Sequence, residues 1–167
     1  MTGRVDVVVV APDLLHTICW TCTVVSEVHL HISASVQNET GWHHVLLQIS
    51  GHEQSIEIPS KASGLGSSIN GGGLLLLALA TCYCNDIFRQ AAKRHIEVVR
   101  VEVTVRSEFG PEGETASKIE YRAKVVARCV ESEIRSLMTY VDRVAEIQTT
   151  LRKATSVTLK QIDTVSV

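Results

Sequence analysis

The stretch Asn70-Gly-Gly-Gly-Leu-Leu-Leu-Leu-Ala-Leu-Ala-Thr-Cys82, continued by Tyr83 to His95, decides how the chain is read. From Leu74 to His95 it holds neither Pro nor Gly, and its first half is apolar on nearly every side, as in a helix buried on several faces. Leu75, Ala78, Leu79, Cys82, Asn85, Asp86 and Arg89 share one stripe that turns polar toward the C-terminal end, which places Cys82 at the edge of a polar cleft. Leu77, Ala80, Cys84, Ile87, Phe88 and Ala91 form a second stripe expected in the core. Cys84 lies about 200° round the helix from Cys82 and is poorly placed to bridge to it. Arg89 lies about 10 Å further along the axis and reaches Cys82 only if its side chain folds back.

On either side the period changes from helical to two. Val28, Leu30, Ile32, Ala34 and Val36 alternate with polar residues, the pattern of a half-buried strand. A turn at Asn38 to Gly41, a strand from His44 to Ile49, a turn at Gly51-His52 and a strand from Gln54 to Ile58 complete an antiparallel meander. The Gly- and Ser-rich segment Lys61 to Gly73 reads as a loop leading into the helix. After the helix, Val99, Val101, Val103 and Val105 alternate inward, and Phe109 to Gly113 turns the chain into a second strand over Lys118 to Cys129. Ile134, Leu137, Met138, Val141, Val144 and Ala145 then form a helical stripe with Ser132 as the expected N-cap, and Ser156 to Ile162 reads as a last strand.

At 167 residues, with 45% hydrophobic and 20% charged residues, the chain suits one globular domain. We divide it into an N-terminal extension over residues 1–27 and a domain over residues 28–167. The formal net charge is -2, without a basic stretch, so nucleic acid is not an expected partner. The apolar runs at Val7 to Val10 and Leu74 to Ala80 fall short of the ~18 residues a membrane span needs. Five scattered cysteines suit reduced thiols, so a cytoplasmic protein without a membrane partner is expected. Cys19 and Cys22 make a CxxC pair followed by a strand rather than a helix, which suits two small apolar residues better than a redox motif. His29, His31, His43, His44 and His52 cluster in the meander, but their spacing is no metal signature, and neither a metal nor a cofactor is expected.

The order of elements, together with Asn70 to Cys82, resembles the OsmC and organic-hydroperoxide-resistance family, whose members carry Asn-Pro-Glu-Glu-Leu, an Ala/Leu-rich turn and Ala-Ala-Cys in that place. Ala145-Glu-Ile-Gln-Thr-Thr-Leu151 sits where the family has Cys-Pro-Val-Ser-Asn-Thr-Leu. The resemblance implies an α+β fold of antiparallel sheets wrapped around a central buried helix, in an intertwined homodimer. It also implies reduction of organic hydroperoxides by two cysteines, an arginine and a glutamate. The peroxide-attacking cysteine corresponds to Cys82; the glutamate position holds Gly72 and the resolving-cysteine position holds Ala145. The arginine belongs near Thr40, yet no arginine occurs between Val5 and Phe88.

A peroxidatic cysteine must be a thiolate, which a neighbouring arginine favours. The sulfenic acid it forms needs a second thiol to be reset. The expectation is therefore a degenerate site keeping Cys82, with Cys84, Asp86 and Arg89 as accessory candidates and with weak single-cysteine peroxidase chemistry using an external thiol. The alternative is a non-enzymatic protein binding a small apolar ligand in a dimer-interface pocket.

Overall fold

The computed structural model describes residues 30–39 and 42–164. The expected extension over residues 1–27, with Cys19 and Cys22, lies outside the described residues, as does His29. Among the described residues eight elements follow in order: β1 (Ile32–Glu39), β2 (Trp42–Ile49), β3 (His52–Gln54), α1 (Gly71–Lys93), β4 (Val98–Phe109), β5 (Ala116–Ala127), α2 (Glu131–Val144) and α3 (Glu146–Arg152). The fold is α+β with two antiparallel sheets, β1-β2-β3 and β4-β5.

Helix α1 starts earlier than its apolar run suggests. Asn70 accepts a hydrogen bond from the Gly73 N–H at 2.8 Å, a side-chain N-cap that draws the three glycines out of the expected loop and into the first helical turn. The helix stops where His95 adopts a φ of 56° and the Ile96 N–H bonds back to the Ala91 carbonyl at 2.9 Å. At 23 residues α1 is long and apolar enough to cross a bilayer by length and composition. Its apolar content also suits a core helix, since it packs on β4, α2 and α3.

Strands β4 and β5 pair with Val101 opposite Val125, Val103 opposite Ala123 and Val105 opposite Tyr121, so the alternating residues of both strands share one face. That face meets Tyr83, Ile87 and Ala91 of α1 and Leu137 and Val141 of α2, with Ala145 closing the cluster. Ile87, Leu137, Val141 and Ala145 are completely buried.

Several boundaries differ from the sequence reading. The third strand is a three-residue β3, and Ser55 to Pro59 forms no strand. Helix α2 begins at Glu131 with Val130 at the cap position and no side-chain cap bond, so Ser132 is helical rather than capping. Residues 153–164 hold no strand: Ser156 to Ile162 pair with neither sheet among the described residues. The second α1 stripe is only partly core: Ile87 and Ala91 are buried, but Leu77 and Phe88 are exposed, because no element among the described residues covers that side.

Candidate functional site around Cys82

The expected helical stripe ends at Ala145, and a second helix that the sequence pattern does not announce follows it. The Ala145 ψ of 122° breaks the chain direction without Gly or Pro, and α3 starts at the next residue. The corner is braced from three sides. Arg152, at the far end of α3, donates to the Asp142 carbonyl and to Asp142 Oδ1, each at 2.6 Å. Asp142 also accepts from the Tyr121 hydroxyl on β5. Gln148 donates from Nε2 to the Leu79 carbonyl of α1 at 3.3 Å, while its buried Oε1 has no partner.

This bracing brings the first turn of α3 against Cys82. The thiol lies 3.7 Å from Glu146 Oε2 and 4.0 Å from Asp86 Oδ2, close enough for weak S–H···O contacts. Arg89 folds back toward the cysteine, as its place on the helix requires. Its Nη2 lies 2.7 Å from Asp86 Oδ1 and 2.8 Å from Glu146 Oε1, so one nitrogen holds the outer oxygens of both carboxylates. The inner oxygens are left facing the sulfur.

The electrostatics follow from this arrangement. Burial pushes the Cys82 thiol above its usual range, and both carboxylates push it further; hydrogen bonding to the Ile147 and Glu146 backbone at the start of α3 opposes this without winning. Burial and the neighbouring Glu146 likewise raise Asp86, which Arg89 only partly offsets. Burial acts in the same sense on Glu146, but the hydrogen bonds from Arg89, Asp86 and its own backbone, together with the charge of Arg89, outweigh it and hold that carboxyl below the usual range.

Cys82, Asp86 and Arg89 thus come together, and Cys84 does not join them. Cys84 lines an open groove of about 250 Å³ with Ala80, Thr81, Asn85 and Val103, on a different side of α1. Gly72 lies under the ring of Phe109: a Cβ at that position would sit 2.7 Å from Phe109 Cζ, so any side chain there must displace the ring. Ala145 is wholly buried and forms the corner itself. Glu146 escaped the sequence reading because only the break at Ala145 aims it at Cys82, and no Gly or Pro marks that break.

Cys82, Asp86 and Glu146 each offer a donor atom within 4.8 Å of the others, a spacing that a metal ion could bridge. Arg89 already bridges the two carboxylates and offsets one of their two negative charges, which lowers the demand for a cation. Among the described residues no histidine joins such a group. His43 bonds Asn38, and His44 stacks on Trp42.

The family described as OsmC-like protein matches residues 64–160, more than half of the chain. The chain belongs to the OsmC-like family. The fold of this OsmC-like protein is similar to that of an OsmC-like protein from Mycoplasma pneumoniae, with TM-score 0.55 and 15% identity over 75% of this chain and 89% of that one. It is also similar to an OsmC-like protein of unknown function from Vibrio cholerae O1 biovar eltor, with TM-score 0.50 and 15% identity over 72% and 92% of the two chains. A hypothetical protein from Aquifex aeolicus VF5 gives TM-score 0.51 and 16% identity over 76% and 88%. No curated protein sequence matches this OsmC-like chain. At these identities the likeness to solved structures is one of fold.

Proposed function

We propose that this OsmC-like chain is a weak, single-cysteine thiol peroxidase that works as a homodimer. The observation that carries the chemistry is the placing of Cys82 Sγ between the start of α3 and the Asp86, Arg89 and Glu146 cluster. Glu146 Oε2 is near enough to take the thiol proton. The resulting thiolate attacks one oxygen of an organic hydroperoxide, the O–O bond breaks, and the leaving alkoxide takes a proton to give the alcohol. Cys82 is left as a sulfenic acid. An external thiol condenses with it, releasing water and forming a mixed disulfide, and a second external thiol restores Cys82. The acidic surroundings keep the thiolate fraction low, which sets a low rate at neutral pH and a rising one in alkali.

The homodimer rests on the first sheet. Every residue of β1 is exposed, Ile32 and Val36 included, as is Trp42 at the start of β2, and β1-β2-β3 makes no more than marginal contact with the helices or with β4-β5. A small sheet with both faces in water is marginal by itself, and a second copy of the chain would supply the missing layer.

The test is the mass of reduced protein treated with one equivalent of an organic hydroperoxide and dimedone, for wild type, Cys82→Ala and Cys84→Ala. We expect one adduct in wild type and in Cys84→Ala and none at this position in Cys82→Ala. Labelling no faster than that of a free thiol would sink the peroxidase reading. It would favour a second one, binding of a small apolar ligand, for which the exposed Leu77 and Phe88 and the groove at Ala80 and Val103 provide apolar surface. A ligand-dependent rise in melting temperature would then be sought.

A further inference from the structure

We infer that Glu146 makes the Cys82 site selective by charge, favouring cationic thiols and electrophiles over anionic ones. This rests on the reading of Cys82 as the reactive residue and names the class of co-reactant it takes.

Three charged side chains meet at the sulfur. Two are carboxylates, Asp86 and Glu146, each with an oxygen within 4.0 Å of Sγ. The third, Arg89, touches the other oxygen of each carboxylate, not the one nearest the sulfur. With all three ionised, the cluster carries one negative charge, and the sulfur faces its negative side. Asp86 is almost fully buried, whereas the Glu146 side chain is 63% exposed, so Glu146 is the charge an incoming molecule meets first. A reagent must come within a few ångströms of Sγ to react, well inside the ~8 Å over which physiological salt screens a charge. The attraction or repulsion there is worth about a factor of three for each sign, or roughly tenfold between a cation and an anion of equal size.

In the proposed cycle the selectivity falls on the resetting step. An aminothiol such as cysteamine reaches the sulfenic acid with an attractive partner in Glu146, condenses with loss of water, and leaves as its disulfide after a second equivalent reacts. A carboxylated thiol such as mercaptopropionate approaches against repulsion.

The test uses the whole reduced protein at pH 8 and two methanethiosulfonates of similar size, one bearing a trimethylammonium group and one a sulfonate. Attack by the Cys82 thiolate forms a mixed disulfide and releases methanesulfinate, and peptide mapping follows Cys82 alone. We expect the cationic reagent to be favoured about tenfold beyond its ratio on a free cysteine peptide, with the excess shrinking in high salt. Glu146→Gln should bring the ratio to that of the peptide, and Arg89→Gln should enlarge it. A wild-type ratio equal to the peptide's, or one unmoved by Glu146→Gln, would overturn the inference. Because these reagents report on any accessible thiolate, the peroxidase reading can fail in the dimedone experiment while charge selectivity survives, and the reverse.

Discussion

The two sheets of this molecule are built from the same alternating pattern and end in opposite circumstances. In β4-β5 the inward valines meet α1 and α2, and Leu137, Val141 and Ile87 are sealed from water. In the first sheet every residue of β1 is exposed, with Val36 at 59%, and no residue of β2 is fully buried among the described residues. Alternation reports that a strand has one apolar face, but not whether its own chain covers that face. The difference leaves the first sheet, and with it Leu77 and Phe88 of α1, as the exposed apolar surface of the described residues, the surface on which the proposed homodimer rests.

The largest expected effect lies on the covered side. Leu137→Ala removes a side chain with no exposed surface between α1 and β5, and it should cost roughly 3 kcal/mol in chemical denaturation. A loss under about 1 kcal/mol would mean that the core seen here is not the one that holds the fold. Next comes a change on the uncovered side. Val36 pairs with Val45 but its side chain is exposed among the described residues, so Val36→Glu should leave the fold intact and weaken self-association tenfold or more by sedimentation. An unchanged association constant would break the comparison, because β1 would then be free surface in the assembled protein as well.

Burial explains what could and could not be read from sequence. Wherever the chain covers its own residues, the pattern was sufficient: the helix carrying Cys82, the β4-β5 hairpin and the α2 stripe all follow from periodicity. Where a single polar contact decides, the pattern misled. The Asn70 cap moved the start of α1 into the glycines, and Val130 rather than Ser132 took the cap position of α2. The site divides in the same way. Cys82, Asp86 and Arg89 share a helical stripe and were legible together, whereas Glu146 depends on a backbone break at Ala145 that no residue type announces.

A smaller effect is expected at the brace that holds the break. Tyr121→Phe removes the hydroxyl that Asp142 accepts from and should cost about 1 kcal/mol at neutral pH. Burial tends to raise the Asp142 carboxyl, but the Tyr121 and Arg152 hydrogen bonds outweigh it and hold it below the usual range. A group with a depressed folded-state pKa adds stability above its unfolded pKa and loses it as pH falls through the folded one. Wild type should therefore lose stability in acid faster than Tyr121→Phe, and the two denaturation curves should converge at low pH. Parallel curves would show that the hydroxyl does not hold Asp142 ionised.

The smallest effect is expected where the family resemblance would place the largest. Gly72 occupies the family's glutamate position, and restoring the carboxylate with Gly72→Glu would seem the direct route to a more reactive Cys82. The geometry argues otherwise. Any side chain at Gly72 must first displace the Phe109 ring, and Gly72 sits ten residues before Cys82, about 15 Å along the helix. The family's glutamate serves to hold an arginine from the first sheet, and that sheet carries none here. In this chain the arginine and the acidic partners of Cys82 come from the covered side, Arg89 and Asp86 from α1 and Glu146 from α3. Gly72→Glu should accordingly change the alkylation rate of Cys82 by less than twofold at any pH, while Glu146→Gln, which removes a carboxylate 3.7 Å from the sulfur, should raise it at neutral pH by making the thiolate easier to form. If Gly72→Glu proved the more influential of the two, the sheet rather than the helical core would be the side that governs the cysteine.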